Sequence, residues 1–437
     1  MQTKLQSIQD WQALGKFDPA LLIERFNQKL DALSLDTRDS LISSQYDQIQ
    51  LVGKLSEQIA REDAPLAGVP FLLQDMIDAP GLPTACGAPF RAPFEMEVDT
   101  ETTLVNVLES LGAFLLAKTV PAEFGVDPRG RNRSYGDCQH PSDVDLICGG
   151  GAGSCVSAVR QGLAPLAFGL DTVGGVRIPC AFQGAFGYRI GLNAFTQEGV
   201  FPMMPSIESI GFTTNCLEDL AMCYKAIFPQ RSEYSKKIPR GFFIDDPGGC
   251  RMSPAVKGGM LRLSRELDIY EDYTRHIELN RAFASGGASL QLLQARELYT
   301  IHQYWIDEYR EQYDTSLLRR IYRGMECSTS EVEKACATQD QIRLILAEFF
   351  EDYDFLLMPI STTPSPNKQD WSIDLETDLN QINAPLSLSM LPAIILPFEC
   401  DGYTSAAQII VNPHRPDVVP NLIAQFAEFY ADQAQVQ

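Results

Sequence analysis

The sequence predicts an α/β layered fold, and three observations carry that prediction. Short apolar runs of strand length recur along the chain. Amphipathic stretches of helix length separate them. The strand–helix–strand order repeats without an internal sequence repeat or a low-complexity linker, as expected of helices packed on a sheet. One large domain accounts for the 437 residues better than several.

The elements follow in order. Residues 18–33 form a helix with Asp18 as N-cap, Pro19 in the first turn and a stripe of Leu22, Phe26, Leu30 and Leu33. GVPFLL (68–73) is a buried strand, and the Pro-, Gly- and Ala-rich residues 79–98 are a loop. Thr102 to Leu111 is a helix that Gly112 stops, and AFLLAK (113–118) is the next strand. A glycine-rich turn at Gly149–Gly151 enters a helix over Ser154 to Gln161, and LAPLAFG (163–169) returns as a strand. Residues 254–350 read as mostly helical, 354–360 and 393–399 as strands, and Asn421 to Ala431 as a closing helix. The 230–252 stretch has the weakest hydrophobic pattern.

Composition narrows the function. Apolar residues make up 45% of the chain and charged ones 21%, enough for a large core and against global disorder. With 35 basic and 57 acidic residues the net charge is −22, a field that repels nucleic acid. No apolar stretch is long enough to span a bilayer, and MQTKLQSIQDWQ has no apolar h-region, so neither a membrane span nor a signal peptide is expected. The odd count of 11 cysteines, with no CxxC pair, points to reduced thiols in a cytoplasm. His140, His276, His302 and His414 have no ligand-like spacing, so no metal is expected, and no motif calls for a cofactor.

CGGGAGSCVSAV (148–159) invites a phosphate-loop reading. No lysine follows it before Lys225, and Val156 stands at the third position of the dinucleotide glycine pattern, so both nucleotide versions fail. A tight turn with close backbone packing remains.

A longer set of motifs fits better. GGGAGSC and GLDTVGGVRIP (169–179) are spaced like GGSSGGS and GTDTGGSxRIP. GVPFLLQDMID (68–78) parallels GVPFxVKDNID, GLPTACGAPF (81–90) a GLPTTxGS-like loop, and AKTVPAEFG (117–125) GKTNMDEFA. PSIESIGFTTNCLEDLA (205–221), DFLLMPISTTPSP (354–366), LPAIILP (391–397) and GYTSAAQII (402–410) follow in the expected order. On these motifs the chain resembles the amidase signature family from about residue 65 to its C-terminus. DTVGGVRIPCAF (171–182), PTAC (83–86) and GVFPMMPSIESIGF (199–212) lean toward its allophanate hydrolase branch. The resemblance implies a large mixed β-sheet covered by helices on both faces. It divides a single amidase-like domain into a helical segment (1–65), a signature core (about 66–230), a mostly helical insertion (about 231–350) and a C-terminal return (351–437).

Family members cleave amides with a Ser–Ser–Lys triad and a backbone oxyanion hole. Carried over position by position, the resemblance puts the lysine at Gln74, the cis serine at Gly151 and the nucleophile at Gly175. Glutamine does not titrate and glycine cannot attack, and loss of a triad nucleophile costs on the order of 10⁶ in turnover. The oxyanion donors fall on Thr172, Val173, Gly174 and Gly175, and Asp171 and Arg177 stand where the family braces that loop. Ser154, Cys155 and Cys180 are the nearby replacement nucleophiles, Cys155 being favoured as thiolate by the first turn of its helix. Without a relay serine to place, the Gly150–Gly151 peptide is expected to be trans. Two serines replaced by glycine are expected to enlarge the floor of the cleft. These expectations describe a binding or regulatory pseudoenzyme taking a small amide-like ligand or a protein partner, of undetermined oligomeric state. The alternatives are an active amidohydrolase with a rearranged nucleophile, on small amide or urea-like substrates, or a structural subunit with a vestigial cleft.

Overall fold

The computed structural model describes residues 7–61, 63–94, 102–191, 197–231 and 237–434. Their strands are β1 (Ile42–Gln45), β2 (Pro70–Gln74), β3 (Phe114–Thr119), β4 (Leu166–Leu170), β5 (Phe186–Arg189), β6 (Ile210–Thr214), β7 (Gly241–Phe243), β8 (Ile269–Tyr270), β9 (Phe355–Pro359), β10 (Ala393–Cys400) and β11 (Tyr403–Val411). They form one mixed sheet in the order β1-β3-β2-β4-β6-β5-β10-β11-β9-β7-β8.

Every residue of β2, β3 and β4 is buried, so both faces of this part of the sheet are covered. That is why these strands read as unbroken apolar runs and not as an alternating pattern. β2 runs parallel to both β3 and β4, with Phe71 opposite Leu166 and Leu73 opposite Phe168. The carboxyl ends of β2 and β4 therefore emerge side by side, the usual place for a site in a sheet of this kind. Pairing is antiparallel from β4 through β6, β5, β10, β11 and β9, and parallel again at β7 and β8.

The helix at Pro19–Asp31 matches its expectation. The Asp18 carboxylate accepts from the Leu21 N–H at 3.0 Å, and Leu22, Phe26 and Leu30 are buried. The helices Thr103–Ser110, capped by Thr102, and Gly153–Arg160 also lie where expected. Three corrections stand out. The loop expected over 79–98 contains a 3₁₀ turn at Pro89–Phe94, and residues 95–98 lie outside the described ones. The closing helix begins earlier, at Val418, and breaks at Phe426 into Val418–Gln425 and Ala427–Ala434. A helix at Ile373–Ser389 was not anticipated, because Pro385 inside it reads as a stop.

Removal of the Asp18 cap exposes an unpaired helix N–H. Asp18→Ala is expected to lower stability by about 1 kcal/mol in urea unfolding.

Candidate functional site

The site forms where the carboxyl ends of β2 and β4 meet two glycine turns. Gln74, the last residue of β2, is buried. Its Nε2 donates to the Gly151 carbonyl at 3.0 Å, and its Oε1 accepts the Leu170 N–H at 2.6 Å. The Gly151 carbonyl also accepts from the Ala122 N–H at 3.1 Å, and the Ala152 N–H donates to the Gly175 carbonyl at 3.0 Å. The three positions that the motifs single out thus meet at one spot. No described peptide bond is cis, so Gly150–Gly151 is trans, as expected.

The floor is not enlarged. A Cβ on Gly151 would lie 2.4 Å from the Gly125 carbonyl oxygen, and one on Gly175 would lie 2.3 Å from the Leu170 carbonyl oxygen. Both obstacles are backbone, which a rotamer change cannot move. The main chain has closed into the space that side chains would take. Among the described residues a cavity bordered by Gly150, Gly151, Gly175, Met203, Arg320 and Asn380 has a volume of about 30 Å³. That is room for roughly two waters.

Behind the floor lies a buried polar cluster. Asp171 Oδ1 accepts from the Gly174 N–H (3.1 Å) and Arg177 Nε (2.9 Å), and Oδ2 from the Arg177 N–H (2.9 Å). Arg177 donates onward to Asn383, Gln408 and Ser387 at 3.0, 3.0 and 2.7 Å. Arg189 donates to the Asp171 carbonyl at 3.0 Å. Asp171 and Arg177 therefore brace the loop. The bracing takes up the Gly174 N–H, one of the four expected oxyanion donors. The Thr172 hydroxyl donates to Glu208, which also accepts from the Met203 and Met204 N–H groups at 2.8 and 3.2 Å. Burial pushes the Glu208 carboxyl up to about 7, against these hydrogen bonds.

The candidate replacement nucleophiles are sealed in. Ser154 Oγ donates to the Ser40 carbonyl at 2.8 Å. Cys155 lies 3.0 Å from Thr119 Oγ1 and 3.4 Å from the Phe168 carbonyl. Cys180 lies 3.4 Å from Thr213 Oγ1 and 3.7 Å from the Phe186 carbonyl. Burial pushes both thiols up to about 12. This reverses the expectation for Cys155: desolvation under β3 and β4 outweighs the helix dipole.

One nearby lysine lies within the AKTVPAEFG motif, which assigned it no role. Lys118, fully buried on β3, pairs with Asp75 at 2.8 Å and donates to Pro83 O and Thr84 Oγ1 at 2.7 and 2.8 Å.

In native protein treated with iodoacetamide, the exposed Cys336 is expected to be alkylated while Cys155 and Cys180 stay unlabelled on peptide mapping. The Glu208 carboxyl carries a second expectation. Its folded-state value lies above the ordinary 4.5, so its contribution to stability is fully present below about 4.5 and is lost as pH rises through about 7. Between about pH 4.5 and about pH 8, wild type is expected to lose more unfolding free energy than Glu208→Ala, by urea titration.

Comparison with known proteins agrees with this architecture. The Amidase family model matches residues 22–246. The chain is 24% identical over 353 residues to outer envelope protein 64, chloroplastic, of Arabidopsis thaliana, covering 75% of this chain and 60% of that protein's length. It is 25% identical over 389 residues to a glutamyl-tRNA(Gln) amidotransferase subunit of Chlamydia trachomatis, covering 79% of this chain and 78% of the relative. The solved allophanate hydrolase of Kluyveromyces lactis superposes with a TM-score of 0.82 at 20% identity, over 98% of this chain and 73% of that one. With the family model spanning half of the sequence and the same fold recurring in the solved structure, the chain belongs to the Amidase family.

Proposed function

We propose that this protein keeps the amidase fold without the family's serine–lysine amide hydrolysis and acts as a binding or regulatory pseudoenzyme, through a protein partner. The single observation that carries this reading is the main chain standing where two serine side chains would need to be. The Gly125 and Leu170 carbonyls lie within 2.4 Å of the Cβ positions of Gly151 and Gly175. Gln74 supports it, because a neutral amide bonded at both ends takes the place of a titrating base. The sealed Ser154, Cys155 and Cys180 weigh against a substitute nucleophile. A cavity of about 30 Å³ favours a protein partner over a small amide held in the old cleft. A relative named as one subunit of an amidotransferase is consistent with a partner-dependent role.

The test combines turnover, ligand binding and stability. Purified protein is expected to release no ammonia from simple amides and ureas and to show no thermal shift with them. Ammonia release that persists in a Ser154→Ala, Cys155→Ala, Cys180→Ala variant overturns the proposal. Gly151→Ser and Gly175→Ser are each expected to cost about 1–3 kcal/mol through backbone displacement. Gln74→Lys is expected to cost about 3 kcal/mol or more, because it buries a charge and removes the acceptor of the Leu170 N–H. The triple variant is expected to remain inactive, and restored hydrolysis in it counts against the closed floor.

A further inference from the structure

None of the eleven cysteines is joined in a disulfide, and two of them meet behind the glycine floor. Cys138 and Cys148 are both buried, and their side chains flank the same two glycines, Gly130 and Gly153. Cys148 Sγ lies 3.2 Å from the Cys138 carbonyl oxygen. Two glycines are pinched between them. A Cβ on Gly153 would lie 3.6 Å from Cys138 Sγ and 3.5 Å from Cys148 Cβ, and one on Gly130 would lie 3.5 and 3.6 Å from the two Cβ atoms. Cys148 immediately precedes Gly149, and its carbonyl is held by Gln183 Nε2 at 3.0 Å. Among the described residues no group of three or more His, Cys, Asp and Glu side chains is placed to hold a metal ion.

We propose that Cys138 and Cys148 form an oxidisable dithiol, a modification site that hydrogen peroxide converts to an intramolecular disulfide. The inference rests on the position of the two thiols and holds whether or not the protein turns over amides. Of the two residues Cys138 is the one that meets peroxide, since it retains 4% exposure while Cys148 has none. Its sulfur attacks the peroxide O–O bond and is oxidised to sulfenic acid, and the departing hydroxide takes the Cys138 thiol proton to leave as water. Cys148 sulfur then displaces the sulfenic hydroxyl, which leaves as a second water with the Cys148 proton. Two thiols and one peroxide thus give one disulfide and two waters. The Cys155 sulfur instead faces Thr119 Oγ1 and the Phe168 carbonyl, at 3.0 and 3.4 Å. The bridge ties the turn at Gly130 to the chain entering Gly149.

The test uses the full chain treated with hydrogen peroxide, blocked with N-ethylmaleimide and digested without reduction. Cys138, Cys148 and Cys155 fall in one tryptic peptide, Ser134–Arg160, so a second cleavage at Asp143 or Asp145 separates the first two. The expected product is a cross-linked Cys138–Cys148 pair, lighter by two hydrogens, with a rise in melting temperature that dithiothreitol reverses. In Cys148→Ser the cross-link is lost, and Cys138 becomes a sulfenic acid that dimedone traps. Free Cys138 and Cys148 after treatment that oxidises the exposed Cys336 overturn the proposal, and so does pairing of either with Cys155.

Discussion

The structure of the site depends on one side chain amide. Gln74 accepts from the end of β4 and donates to the turn at Gly151, so it behaves like an extra peptide group joining a strand to a loop. Both of its polar ends are satisfied in a buried setting, where an unpaired amide costs about 1–3 kcal/mol. A lysine there would offer donors to a Leu170 N–H that needs an acceptor. The glutamine and the two glycines are therefore a matched set. The amide needs the Gly151 carbonyl close by, and that carbonyl comes close only because the turn carries no side chain.

The closed floor also explains why the surrounding polar groups are arranged for rigidity. Asp171 uses both carboxylate oxygens on the loop's own N–H groups and on Arg177. Lys118 and Asp75 neutralise each other within β3 and the end of β2, with Thr84 and Pro83 completing the ammonium's shell. Groups with the chemistry to act as base or acid are present, but each is occupied by a structural partner.

Much of the fold could be read from the chain because β2, β3 and β4 are buried on both faces and appear as continuous apolar runs. β5 and β6 were harder: FGYR and IGFTT mix glycine and polar residues whose burial depends on neighbours far away in sequence. The helix over Ile373–Ser389 was hidden by Pro385. At the site, motif spacing singled out Gln74, Gly151 and Gly175. It could not show how near the Gly125 and Leu170 carbonyls lie to Gly151 and Gly175, because that proximity is set by tertiary packing. The Cys155 expectation failed for the same reason: the helix dipole is a local property, whereas the desolvation that overrides it comes from β3 and β4.

The Arg177 cluster has a consequence for how the chain reaches this structure. Its guanidinium is bonded to Asn383, Ser387 and Gln408, between 206 and 231 residues further along. The loop near the middle of the chain is therefore complete only once β11 and the helix before β10 have joined the sheet. Such distant contacts raise contact order, and their loop-closure entropy must be overcome before they contribute. A nascent chain ending before residue 383 would carry a buried arginine without these acceptors, so the floor of the site is among the last parts to become rigid during synthesis.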